Sequence, residues 1–261
     1  MGEGYTGYQL KNPRIIARLD VKGINVIKGV HLEGLRVVAQ PAHLARRYYE
    51  EGADEIVFLD SVASLYGRNA ILPIVAQAAQ QIFIPLTVGG GIRSIEDIVK
   101  VLRSGGDKVL INTAAIQRPE FLREAAHTFG SQCIVLSIEA KRRGTARWEA
   151  LTNNGRERTG KDAVAWAVEA ERLGVGEILL TSVDMEGTKR GFDIELFQAV
   201  RDRVHIPVIG SGGAGSGNHV ISAVRDVGLD AVACATILHY NICSVSGIKA
   251  ALMRAGVSVR R

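Results

Sequence analysis

Two carboxylates, Asp20 and Glu139, end apolar, β-branched runs in this 261-residue chain. The runs that carry them match: Ile15-Ile16-Ala17-Arg18-Leu19-Asp20 and Ile134-Val135-Leu136-Ser137-Ile138-Glu139. Acids at equivalent ends of repeated strands can face one another across a pocket and divide general-acid and general-base work. The competing reading is structural, with Asp20 paired to Lys22 and Glu139 to Lys141. A second kind of chemistry lies in two glycine turns, Thr87-Val88-Gly89-Gly90-Gly91 and Ile209-Gly210-Ser211-Gly212-Gly213, each between an apolar run and a helical pattern. Glycine lets a backbone approach a ligand closely and take up positive φ. A helix that starts just beyond it presents free N–H groups and the positive end of its dipole to an anion. The runs that follow end in Asn112-Thr113 and Ala235-Thr236, which could complete two phosphate cradles. The implied ligand is long, with a phosphate at each end. Tight strand–helix packing is the other use of such glycines.

A third constellation sits at the opposite ends of the runs. Arg14, Glu55, Lys108 and Glu177 open the first, second, fourth and sixth of them. In a closed sheet these mixed charges would form a ring, either salt bridges that satisfy the ends of a core or a gate for a small molecule entering from below.

The elements that must position these residues follow from the pattern. Strand-like runs at Arg14–Asp20, Glu55–Asp60, Pro85–Gly89, Lys108–Asn112, Cys133–Glu139, Glu177–Ser182, Pro207–Gly210 and Ala231–Ala235 lack polar alternation, as expected of a parallel sheet buried on both faces. Amphipathic helical patterns lie between them, at Pro41–Glu51, Ser94–Ser104, Pro119–Phe129, Lys161–Leu173 and Ile194–Arg203. Eight such units predict an α/β fold, a (β/α)8 TIM barrel whose reactive groups stand at the C-terminal strand ends. A doubly wound sheet is the alternative. The repeat favours the barrel, because four units occur twice: Gly52–Asp60 also matches Gly174–Ser182, and Asp107–Thr113 matches Asp230–Thr236. Two half-barrels then close into one domain over 14–261, with residues 1–13 as a flexible tail. The Lys141-Arg142-Arg143 cluster is expected in a loop after the fifth strand.

Composition narrows the function classes. With 47% hydrophobic and 23% charged residues the chain is an ordinary globular protein. No apolar run is long enough for a membrane span, and the N-terminus lacks an apolar segment of the secretory type. Net charge is +5, suited to a polyanionic small molecule. With 5% aromatics and no long basic run, nucleic-acid binding is not expected. Three cysteines, two of them in apolar runs, suggest reduced thiols and a cytoplasmic location. Six histidines without ligand spacing predict no metal, and nothing implies a cofactor.

Leu19-Asp20-Val21-Lys22, Val57-Phe58-Leu59-Asp60, Thr87–Gly91, Ile111-Asn112-Thr113-Ala114-Ala115, Gly176–Ser182 and Gly210–Gly215 together resemble the HisF family, the cyclase subunit of imidazole glycerol phosphate synthase. The resemblance runs from about Arg14 to the C-terminus. It implies a TIM barrel of duplicated halves and a HisH-type glutaminase partner that docks on the barrel bottom and sends ammonia through the core. It implies a bisphosphorylated formimino-carboxamide ribonucleotide (PRFAR) as substrate, with imidazole glycerol phosphate and AICAR as products. Asp20 and Glu139 then take the places of the family's two catalytic aspartates. One phosphate falls to Gly91, Asn112 and Thr113, the other to Gly187, Gly213, Ala235 and Thr236. Arg14, Glu55, Lys108 and Glu177 become the ammonia gate. Departures gather at the mouth. Glu139 carries its carboxylate one methylene farther out than aspartate, and a displacement of about 1 Å can cost roughly 10²-fold in rate. The first loop reads His31–Val38 in an unusual form, and Glu186 stands for an aspartate. Such changes also fit a HisF-like paralogue that channels ammonia to a sugar amidotransferase of surface-polysaccharide synthesis.

Overall fold

The computed structural model describes residues 12–61, 63 and 71–260. The tail expected over residues 1–13 therefore falls, except for its last two residues, outside the described part. Eight parallel strands close into a barrel: β1 (Arg14–Lys22), β4 (Glu55–Asp60), β5 (Leu86–Gly89), β6 (Lys108–Ile111), β7 (Ile134–Gly144), β10 (Glu177–Ser182), β11 (Val208–Ser211) and β12 (Ala231–Cys234). The ring shuts because β10 pairs with β7 on one side and, through β11 and β12, with β1 on the other. Helices cover the outside: α1 (Pro41–Glu50), α2 (Leu72–Ala79), α3 (Ile95–Arg103), α4 (Thr113–Gln117), α5 (Glu120–Phe129), α6 (Ala163–Arg172), α7 (Ile194–Arg201), α8 (Gly217–Arg225), α9 (Thr236–His239) and α10 (Val245–Arg254). The expected TIM barrel is thus the observed architecture. Among the described residues no helix is long and apolar enough to cross a membrane.

Apolar side chains fill two separate spaces because a strand points alternate residues to opposite faces. Ile15, Ala17 and Leu19 pack outward against the helices, while Ile16 joins Val57, Leu110, Val135, Leu179 and Ile209 inside the barrel. The absence of polar alternation in the runs reflects this double burial.

The internal repeat extends to backbone angles. Asn112 and Ala235, each just before a short helix, have φ/ψ of −129°/−85° and −126°/−78°. Ser94 and Ser216 cap α3 and α8 by accepting hydrogen bonds from Asp97 N–H and His219 N–H. In the turns before these helices, Gly90 and Gly91 have φ of 102° and 71°, and Gly212 and Gly213 have 97° and 104°. A Cβ on Gly213 would lie 1.9 Å from the Gly191 carbonyl oxygen, so only glycine fits there.

Two hairpins rise from the rim where loops were expected. β2 (Asn25–Val30) and β3 (Glu33–Ala39) run antiparallel next to β1, so most of the first loop is sheet. β8 (Arg147–Thr152) and β9 (Glu157–Asp162) do the same beside β7. Lys141, Arg142 and Arg143 are accordingly strand residues, because antiparallel pairing with β8 carries β7 beyond the barrel wall. The helical pattern from Lys161 begins only at Ala163, since the Asp162 side chain accepts from Ala165 N–H and caps the helix there.

Candidate active site

Asp20 and Glu139 both end up buried at the C-terminal rim, at 5% and 3% exposure. Their surroundings differ. Asp20 accepts from Arg18 Nε at 2.9 Å and lies 3.9 Å from Lys28 Nζ. Lys22, the partner weighed from sequence, is exposed, and the cations that meet Asp20 are Arg18 and Lys28 instead. Burial alone would raise the Asp20 pKa, but Arg18 and Lys28 outweigh it and hold the carboxyl below its ordinary value. Among the described residues no cation, Lys141 included, lies at bonding distance from Glu139. It accepts from Gly155 N–H at 2.7 Å and Asn112 Nδ2 at 3.0 Å. Burial outweighs the attraction of Arg18 and the Gly155 N–H, Asp20 and Glu186 add repulsion, and the Glu139 pKa is pushed up to about 7. One acid is therefore held ionised and the other is poised to hold its proton near neutrality.

Two cavities open on opposite sides of the mouth. A cavity of about 270 Å³ is lined by Gly91, Asn112 and Thr113 together with Arg93, Ser137 and Glu139. Another, of about 570 Å³, is lined by Gly187 and Thr236 with Lys28, Arg36 and Lys189. Gly213, Ala235 and Asp20 line neither. Gly213 instead packs its backbone against Gly191, which donates its N–H to the Gly213 carbonyl at 2.8 Å. Gly187, at φ 74°, lets the loop after β10 touch β2: its added Cβ would lie 2.3 Å from the Gly29 carbonyl oxygen.

Arg14, Glu55, Lys108 and Glu177 meet at the other end of the barrel. Arg14 pairs with Glu177 and, at 2.8 Å, with Glu55; Lys108 Nζ lies 2.9 Å from Glu55 and 3.0 Å from Glu177. Thr87 Oγ1 donates to Glu55 at 2.6 Å. Each cation touches both acids, so the four charges alternate around a closed ring. Burial, helped by Arg14, lowers the Lys108 pKa more than Glu55 and Asp107 raise it. Among the described residues no group of three or more His, Cys, Asp or Glu side chains is placed to hold a metal.

Sequence reasoning missed two buried cations, Arg18 and Lys28, at 1% and 3% exposure. Arg18 lies two residues before Asp20 in a strand, hence on the same face, so the period of two could have flagged it. Lys28 also pairs with Glu186. No comparable signal existed for it, because no strand was expected over Asn25–Val30, the segment that delivers it. His239, next to this cluster, bonds through Nδ1 to the Tyr48 hydroxyl at 2.7 Å, and burial depresses its pKa to about 4, leaving it neutral.

The fold and site define a (β/α)8 barrel enzyme with an acid pair at its C-terminal rim. A family model described as "Histidine biosynthesis protein" matches residues 14–244. Three relatives are each named imidazole glycerol phosphate synthase subunit HisF. The protein from Legionella pneumophila is 59% identical over 206 residues, 79% of this chain and 97% of its own length. Those from Thermobifida fusca and Myxococcus xanthus are 51% and 50% identical, each over 95% of this chain and 98% and 97% of their own. The chain belongs to the HisF family, the cyclase subunits of imidazole glycerol phosphate synthase, lyase-type enzymes of histidine biosynthesis. None of these names favours the polysaccharide alternative.

Proposed function

We propose that this chain takes ammonia from a HisH-type glutaminase and, in the cytoplasm, converts PRFAR to imidazole glycerol phosphate and AICAR. The observation that carries the reading is the pair of repeat-related carboxylates whose pKa values are driven apart, with a cavity on either side of the mouth. PRFAR would place one phosphate against Gly91, Asn112 and Thr113, where Arg93 adds a positive charge. The other would rest near Gly187, Gly213, Ala235 and Thr236, facing Lys28, Arg36 and Lys189.

Ammonia adds to the substrate, the molecule is cleaved and the imidazole ring closes, so protons must be both removed and supplied. Asp20, ionised beside Arg18, is suited to remove a proton. Glu139, protonated near neutrality, is suited to supply one to the leaving group. Proton transfer by a positioned group contributes roughly 10²–10⁴-fold. The ring of Arg14, Glu55, Lys108 and Glu177 closes the lower entrance of the barrel and would have to part for ammonia to enter from the glutaminase.

Purified protein incubated with PRFAR and ammonium salt tests the reading. Steady consumption of PRFAR with release of both products is expected. No turnover under conditions where the protein is folded would sink it.

A further inference from the structure

Along β1, alternate residues enter the barrel interior: Arg14 in the lower ring, Ile16 in the apolar layer above it, then Arg18 and Asp20. Arg18 is the unusual member. Its side chain is 1% exposed, inside a closed barrel. Burial alone would lower its pKa, but the carboxylates of Asp20, Glu186 and Glu139 keep it above the usual arginine value. It is a permanent cation.

The guanidinium does not stay beside its own strand. Nη1 donates to Thr181 Oγ1 at 2.9 Å on β10 and to Ser211 Oγ at 3.2 Å on β11, while Nε stays on Asp20. In the barrel order β10 is three strands away from β1. The side chain is thus a chord across the bore. It lies above the apolar layer of Ile16 and Leu179 and beneath the acids. The equivalent position in the second half is Ser137, which is small and lines the same rim cavity as Glu139.

A further feature marks the chord as incompletely satisfied. Nη2 is buried and, among the described residues, has no hydrogen-bond partner. A donor without an acceptor in a closed interior is costly. It weakens the hold of the closed position and offers an N–H to any small molecule with a lone pair that arrives from below. Neutral ammonia has one. Ammonium has none and is repelled by the same charge.

We propose that Arg18 is an inner gate on the ammonia route: its guanidinium bars the bore beneath the acids and must release Thr181 and Ser211 to let ammonia reach them. The gate rests on the reading of the barrel as an ammonia conduit. It differs from the lower ring in place and in construction, since one side chain closes it and Asp20 anchors it at the catalytic level.

The test compares glutamine-driven with ammonium-driven turnover of PRFAR in the complex with the glutaminase. Free ammonia reaches the acids from the mouth, and both routes use Asp20, so the ratio of the two rates isolates the bore. In Arg18→Ala the ratio is expected to rise about threefold or more. In Arg18→Lys, which keeps a long cation, it should stay near that of the parent. A merely structural role for Arg18 would lower both rates together and leave the ratio unmoved. Should Arg18→Ala fail to fold, Thr181→Val combined with Ser211→Ala frees the far end of the chord while keeping the Asp20 pair, and the ratio should again rise. An unchanged or lowered ratio in the folded variant overturns the gate. Absence of any ammonium-driven turnover by the parent instead sinks the cyclase reading, and the gate with it.

Discussion

The two halves of the barrel share a backbone and part company at their side chains. Asn112 and Ala235 have nearly the same φ/ψ, and Ser94 and Ser216 cap equivalent helices in the same way. Yet the first half ends in an acid clamped between Arg18 and Lys28, and the second in an acid held only by a backbone N–H and an amide. The difference traces to one matched position, Arg18 against Ser137. A cation there fixes Asp20 in its charged form and fills the bore. A serine there gives Glu139 no cation on its own strand and leaves Arg18 to act on it only from across the barrel, beside an open cavity. Duplication supplies two similar frames, and substitution of single inward-facing residues turns them to different work.

The largest effect should come from breaking the charged side. Asp20→Asn removes the proposed base and strands Arg18 without its carboxylate. A loss of roughly 10³-fold in turnover is expected in steady-state assays with PRFAR and ammonium. Leaving a buried charge unpaired should also cost about 3 kcal/mol in urea unfolding.

On the other side, Glu139→Gln should lose about 10²-fold, consistent with removal of a general acid. The parent should show activity falling as pH rises through about 7, because Glu139 then gives up its proton. Asp20, held below its ordinary value, would set the acid limb well below that. The sign for stability is opposite at the two acids. Glu139 binds its proton more tightly folded than unfolded, so its contribution is present below its ordinary 4.5 and lost as pH rises toward 7. Asp20 contributes above its ordinary 3.8, and that contribution is lost as pH falls through its lower folded value. A pH–rate profile with no alkaline limb near 7 would erase the distinction between the two acids.

The lower ring offers a smaller perturbation, since it is partly open to solvent. Lys108→Met leaves Glu55 and Glu177 to share Arg14 alone. A loss of about 2 kcal/mol in stability is expected, less than for a fully buried pair. The ammonium-driven rate should be nearly unchanged, because the ring lies at the far end from the acids.

The smallest expected effect concerns the hairpin of the second half. Glu149 accepts from Gly160 N–H and pairs with Arg143 and Arg158; burial opposes these bonds but they win, holding its pKa at about 2. Glu149→Gln should speed amide exchange in β8 and β9 while leaving the barrel strands protected. Lowering the pH of the parent from its ordinary value of 4.5 toward 2 should do the same gradually.

Much of this organisation was readable from residue order. The strand runs, the glycine turns and the acid ends repeat, and a parallel barrel needs that regularity because every strand is buried on both faces. The hairpins were not readable. Their segments, such as Glu33–Ala39, mix exposed and half-buried residues without a period of two and carry a Gly, a Glu and an Arg, so local pattern does not separate them from loops. They form because the rims of β1 and β7 offer unpaired backbone to antiparallel partners.

By itself the sequence determined the closed eightfold alternation, the duplication, and which residues stand at strand ends, since those follow from local apolar period and glycine placement. Only the tertiary structure decided what each charge meets. Arg18 reaches Thr181 and Ser211, Lys28 reaches Asp20 from the β2–β3 hairpin, and four residues far apart in the chain close into a ring. The physical reason is that a pKa, an ion pair or a closed bore depends on distance and burial across the barrel, and these arise only when strands remote in sequence are brought side by side.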